Sequence, residues 1–200
     1  MEKHAMDFHS TFRLLLTFRP AILEDRPKDQ KLENDLLEQF MNRLLPTDRG
    51  ITGISAEVAA KELLSYLEVY AARLALPEEV KAWEQEAKDG EDWLAARERA
   101  GKRHNPRFVL RQWVLEEVID LLQKDAKRGE GASRTSGEDP SPGKQLLNKI
   151  LQMSTQPFDA WGAEGSSKSE EELTDEQKLE RRLCGLGEKR MLGFQCSCSS

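Results

Sequence analysis

Apolar residues recur along most of this chain at spacings of three and four, the mark of helices that bury one face. Phe8, Phe12, Leu15 and Leu16 share such a face in a short predicted helix that ends before Pro20. Leu32, Leu36, Leu37, Phe40, Met41, Leu44 and Leu45 form a longer stripe. Pro46 stops it, because proline has no N–H with which to continue the helical ladder. Thr47 to Gly50 reads as a turn, and Ser55 can cap a helix with Ala59, Leu63, Tyr66, Leu67, Tyr70 and Leu74 on its inner face. After Pro77 comes a more polar helical stretch with Trp83, Ala87, Trp93 and Leu94, bent near Asp89 and Gly90 and ended by Gly101.

The pair Asn105-Pro106 predicts the start of the most apolar helix, with Asn as cap and proline where no hydrogen bond would form anyway. Phe108, Val109, Leu110, Trp113, Val114, Leu115, Val118, Ile119, Leu121 and Leu122 cover more than one stripe of it, which predicts a central helix surrounded by others. Residues 129–143, GEGASRTSGEDPSPG, are too polar to offset the entropy of ordering them. Leu146, Leu147, Ile150 and Leu151 then mark another short helix. Thr174 and Gln177 have the spacing of a capping box ahead of Leu179 and Leu183. Apart from a short stretch at residues 191–195, no alternating strand pattern appears. The expected fold is mainly α: a helical region over 1–128, a flexible linker or insertion at 129–143, a short helix at 144–161, a second flexible linker at 162–173, and a capped helix with a cysteine-containing tail at 174–200.

Charge changes this picture little. Lys plus Arg number 30 against 36 Asp plus Glu, a net charge of −6, which argues against a general nucleic-acid binder. No segment approaches the roughly 20 apolar residues that span a bilayer. Residues 9–19, HSTFRLLLTFR, have the flavour of a mitochondrial presequence, but Glu2, Asp7, Glu24 and Asp25 work against it. Three cysteines, two of them crowded near residue 200, are not the dispersed, even set that staples a secreted scaffold, and point to a reduced compartment.

Candidate chemistry is sparse. Residues 137–145, GEDPSPGKQ, superficially match a phosphate-binding loop but have one residue too many and Gln145 where Mg²⁺ needs a hydroxyl. His4, His9 and His104 are scattered, with no metal-ligating spacing. Arg97, Arg99, Lys102, Arg103, His104, Arg107 and Arg111 gather positive charge, and Arg107 with Arg111 are the candidates for contact with a phosphate or an acidic surface. The same run reads more readily as a solvated segment whose cations pair with nearby carboxylates. Trp83, Trp93, Trp113 and Trp161 read as core anchors. Cys196 and Cys198 are too close to bridge each other readily, so a disulfide partner would come from Cys184 or from outside the chain.

Several of these segments together resemble the selenoprotein O family of protein adenylyltransferases. MDFHSTFRLL, with Asp7, Thr11 or Ser10, Phe12, Arg13 and Leu15, is similar to the family's Asp-x-Thr-x-x-Phe-Arg-x-Leu stretch. LLSYLEVYAARL, with Tyr70, Arg73 and Leu74, resembles its Trp- and Tyr-rich helix before an Arg-Leu pair. NPRFVLRQWVLEEVI at residues 105–119 is the most specific match, QPFD resembles a Thr-Pro-Tyr/Phe segment, and Cys-Ser-Ser closes the chain. The resemblance implies the C-terminal helical portion of a protein-kinase-like fold that binds ATP in an inverted pose and transfers AMP to hydroxyl side chains of proteins. The family's phosphate-binding basic residues, catalytic aspartate and Mg²⁺ ligands lie upstream of every segment matched.

The expectation is therefore no catalytic residue, no metal ligand and no cofactor bound by this chain alone, with ATP and Mg²⁺ implied for the full-length enzyme. The partners implied are the upstream catalytic part and protein substrates, with no nucleic acid and no membrane, and the location implied by the resemblance is mitochondrial, otherwise cytoplasmic. The family's third residue from the end is selenocysteine or cysteine and is associated with a redox-sensitive disulfide; Cys198 occupies that place. One residue separates it from Cys196, where selenocysteine members have two between the terminal pair. A non-enzymatic helical interaction module and a truncated gene product are the alternative readings.

Overall fold

In the computed structural model, the described residues are 4, 6–24, 35–45, 54–129, 141–166, 168–185 and 187. They are mainly helical, with no strand among them, and the chain divides into two units, Met1–Asn105 and Pro106–Ser200. The expected turn at residues 47–50, most of the first linker, the possible strand at 191–195 and the cysteine tail lie outside the described residues.

The first unit contains α1 (Phe8–Leu16), α2 (Ala21–Glu24), α3 (Asp35–Leu44), α4 (Ala56–Leu74), α5 (Pro77–Glu86) and α6 (Trp93–His104). The starts of α1, α4, α5 and α6 have local causes. Asp7 accepts the Ser10 N–H, Ser55 that of Val58 and Asp92 that of Ala95, so side chains take up N–H groups that a first turn leaves unpaired. Pro77 sits in the first turn of α5, where its missing N–H costs nothing. The core is made by Leu15 and Phe18, the α3 face Leu37, Phe40, Met41 and Leu44, then Leu45, and the α4 face Ala59, Leu63, Leu64, Leu67 and Leu74. The α3 stripe is thus largely as predicted, except that Leu36 faces solvent.

Four expectations fail in this unit. Tyr66, expected on the inner face of α4, is half exposed. Phe8 and Phe12 are exposed and lean on each other at 4.6 Å, while Thr11, Arg13 and Leu15 are the buried residues of α1. The inward face is rotated because Arg13 finds the carbonyls of Lys102 (3.1 Å) and Asn105, partners that make its burial tolerable. Gly101 does not end α6; a Cβ there would collide with the side chain of Leu16, so this glycine permits close packing of α1 on α6. Nor does Asn105 open the next helix. It closes α6, its backbone N–H and side-chain amide both reaching the Gly101 carbonyl, at 3.0 and 2.8 Å. Pro106 disfavours helical geometry in the residue before it, and Asn105 is accordingly extended at φ −113°, ψ 105°.

The second unit contains α7 (Gln112–Gly129), α8 (Pro142–Thr155), a 3₁₀ turn (Glu170–Glu172) and α9 (Asp175–Leu183). Phe108, Trp113, Val114, Val118, Leu146, Ile150, Met153, Leu183 and Cys184 form its core. The helix expected to begin at Pro106 therefore starts six residues later, and residues 106–111 precede it without helical structure. It is also one-sided rather than surrounded, since Leu115 and Ile119 are exposed. Asp125 of α7 accepts the Gly143 N–H at 2.8 Å, tying the start of α8 to the last turns of α7. Both halves of the Thr174–Gln177 capping box form, at 3.1 and 3.2 Å. Composition predicts a loose second linker, yet Gly162 and Leu173 within it are buried. Among the described residues no helix is long and apolar enough to cross a membrane.

Candidate functional site

The two arginines singled out by sequence lie in the non-helical segment before α7, and backbone hydrogen bonds fix that segment. The N–H groups of Arg107 and Phe108 both donate to the Pro157 carbonyl, at 2.7 and 3.0 Å. Phe108 fills the core, which turns Arg107 toward the loop after α8; its Nε donates to the Trp161 carbonyl at 3.3 Å. Arg111 donates through Nη1 to the carbonyls of Cys184 (3.2 Å) and Gly185. These carbonyls follow the last turn of α9, where unpaired acceptors and the negative end of the helix dipole favour a cation. Further along the basic run, in the first unit, Arg99 pairs with Glu91 at 2.9 Å and Lys102 with Glu98 at 2.8 Å.

The loop after α8 is held by a carboxylate that sequence reading passed over. Glu180 is 8% exposed and accepts the Gly162 N–H at 2.9 Å, while its other oxygen receives Lys149 Nζ at 3.2 Å. Lys149 also pairs with Glu176 and stands 5.6 Å from the centre of the Trp161 ring. Burial works against the Lys149 charge, but its two carboxylate partners leave its pKa above the ordinary lysine value. Gly162 is irreplaceable on two counts: its φ is +69°, and a Cβ there would lie 2.6 Å from the Arg181 backbone. Arg181 Nε in turn donates to the Gly162 carbonyl at 3.2 Å. The signal for Glu180 was present in the capping box, because fixing the start of α9 at Thr174 puts residues 176, 180 and 183 on one face.

Cys184 lies at the centre of this arrangement with 1% of its surface exposed. Burial pushes its thiol up to about 11, against the lowering influence of the Arg107 and Arg111 charges. A thiol in that state is a weak nucleophile at neutral pH. Cys184 is therefore a structural cysteine, not a ready partner for a terminal thiol. Cys196 and Cys198 lie outside the described residues. No group of three His, Cys, Asp or Glu side chains among the described residues is arranged to hold a metal ion.

No family model matches this sequence. No solved structure matches it either. The chain is 34% identical over 110 residues, 53% of its length, to protein adenylyltransferase SelO, mitochondrial, of Saccharomyces cerevisiae. The matched part spans 14% of that yeast protein, so the similarity concerns a small share of the relative and about half of this chain.

Proposed function

We propose that this chain is a C-terminal part of a selenoprotein O-like protein adenylyltransferase, an enzyme that transfers AMP from ATP to hydroxyl side chains of proteins. The similarity to the yeast protein carries this reading, alongside the resemblance of residues 105–119 to the family's Asn-Pro-Lys/Arg-Tyr/Phe-Val-Leu-Arg block. Chemistry on nucleotide phosphates depends on metal ions and cationic clamps around the phosphates. In these 200 residues no nucleotide cradle or metal-ligating motif is recognisable, so ATP and Mg²⁺ belong to the upstream catalytic part of the parent enzyme. On this reading the helices are the closing portion of a protein-kinase-like fold. Arg107 and Arg111 brace that portion, Cys198 with Cys196 forms its redox tail, and the location is mitochondrial.

The test compares this chain alone with the same chain joined to the upstream part. With ATP labelled in the α-phosphate, Mg²⁺ and a mixture of mitochondrial proteins, the short chain transfers no label and the joined polypeptide labels proteins. Transfer by the short chain, or equal labelling by the upstream part without it, would sink the proposal.

A helical interaction module without catalysis is the second reading, favoured by the exposure of Leu110, Leu115 and Ile119 in and just before α7. It predicts that the isolated chain binds a hydrophobic dye, and that charged replacements at Leu115 and Ile119 suppress this. A chain that binds no dye removes its motive.

A further inference from the structure

The outer face of α7 carries an apolar strip edged with negative charge. Leu115 and Ile119, one turn apart, are 44% and 52% exposed, and Glu116 and Asp120 beside them are exposed too. Successive residues of a helix advance by about 100° around its axis, which puts the two carboxylates between the strip and the flank that bears Trp113.

The chain returns to that flank after α9. Gly187 has φ +80°, and a Cβ on it would lie 2.9 Å from the Trp113 indole, so the backbone there runs directly against the ring. The residues that follow, outside the described ones, read EKRMLGF over 188–194. Two adjacent cations, Lys189 and Arg190, come first, and the apolar Met191, Leu192 and Phe194 come next. Moving away from Trp113, α7 presents two carboxylates and then two apolar side chains, the complementary order. Distance permits the match. An extended chain covers about 3.3 Å per residue, so Met191 reaches about 13 Å from Gly187 and Phe194 about 23 Å. Ile119 is about 9 Å from Trp113 along the axis of a helix about 10 Å across.

We propose that residues 188–194 of this chain dock across the outer face of α7, with Lys189 and Arg190 against Glu116 and Asp120 and with Met191, Leu192 and Phe194 on Leu115 and Ile119. The occupant of the strip is thus the chain itself, and its tether at Gly187 makes the encounter intramolecular. Cys196, two residues past Phe194, is then presented beside α7. This docking does not depend on the adenylyltransferase reading.

The full chain, labelled at isoleucine and leucine methyls and kept reduced, is studied by NMR. Nuclear Overhauser contacts are expected between the Phe194 ring and the Leu115 and Ile119 methyls, unchanged on dilution. Leu192→Ser with Phe194→Ser is expected to shift the Ile119 methyl while the Val118 and Ile150 core signals stay in place. Lys189→Glu with Arg190→Glu is expected to lower the docked-to-free ratio of the segment about tenfold, and Glu116→Lys with Asp120→Lys in that background to restore it. Absence of Phe194 contacts, with an Ile119 methyl indifferent to the serine pair, overturns the proposal. Contacts found only between differently labelled copies overturn it in favour of a second copy on the strip. Charge reversal without effect overturns the pairing of Lys189 and Arg190 with α7.

Discussion

Glu180 holds the backbone N–H of Gly162 at 2.9 Å, so a helix near the end of the described chain fixes the loop that follows α8. Its second oxygen takes Lys149 at 3.2 Å, so removing the carboxylate would leave a buried N–H without a partner and take from Lys149 one of its two carboxylates. Glu180→Ala is therefore expected to destabilise the second unit by about 2–3 kcal/mol. Chemical denaturation measures the loss. Amide exchange at Gly162 should rise at the same time; an unchanged Gly162 exchange rate would show that Glu180 does not anchor this loop.

Tyr70 and Arg97 form the corresponding polar contact inside the first unit. The Tyr70 hydroxyl accepts from Arg97, whose side chain also donates to the Leu16 carbonyl at 3.2 Å and is 7% exposed overall. Tyr70→Phe keeps the ring and deletes the acceptor, at an expected cost of about 1–2 kcal/mol in unfolding free energy. Tyr66→Phe, whose residue is 49% exposed, is the control and is expected to change stability by less than about 0.5 kcal/mol. Equal effects of the two substitutions would contradict the role given to Arg97.

These two contacts show where sequence reading stops. The α3 stripe, the Ser55 cap and the Thr174–Gln177 box were legible because each depends on neighbours within a turn or two. Burial of Arg13 and exposure of Phe8 and Phe12 were not, since the carbonyls that accept Arg13 are 89 and 92 residues away. Asn105 was misread for a subtler reason. The same side chain can cap either end of a helix, and the extended geometry imposed by Pro106 decided for the end of α6. At the candidate site, Arg107 and Arg111 were legible as a pair, but their acceptors were not. Pro157, Trp161, Cys184 and Gly185 are brought to them only by the packing of α8 and α9 on α7.

Arg111 gives a direct test of that placement. Its guanidinium covers the carbonyls at the end of α9, so Arg111→Gln is expected to cost about 2 kcal/mol of stability. Arg107→Gln loses one side-chain bond of 3.3 Å and is expected to cost less, about 1 kcal/mol. Thermal or denaturant unfolding of the two variants gives the order. The reverse order would mean that Arg107, not Arg111, braces the segment before α7.

Cys184 links stability to alkaline pH with a definite sign. Its folded pKa, about 11, lies above the ordinary thiol value of 9.0, so the folded state keeps the thiol protonated where the unfolded chain has begun to ionise. The stability associated with the protonated thiol is fully present below pH 9 and is lost as pH rises toward 11, at up to about 1.4 kcal/mol per pH unit. In a chain carrying Cys196→Ser and Cys198→Ser, Cys184 is the remaining thiol. It should react slowly with a thiol reagent at pH 8 and rapidly once denaturant unfolds the protein. Cys184→Ala in the same background should flatten the decline in unfolding free energy between pH 9 and 11. Rapid labelling of native Cys184 at pH 8 would overturn its structural role and restore it as a possible partner for the terminal thiols.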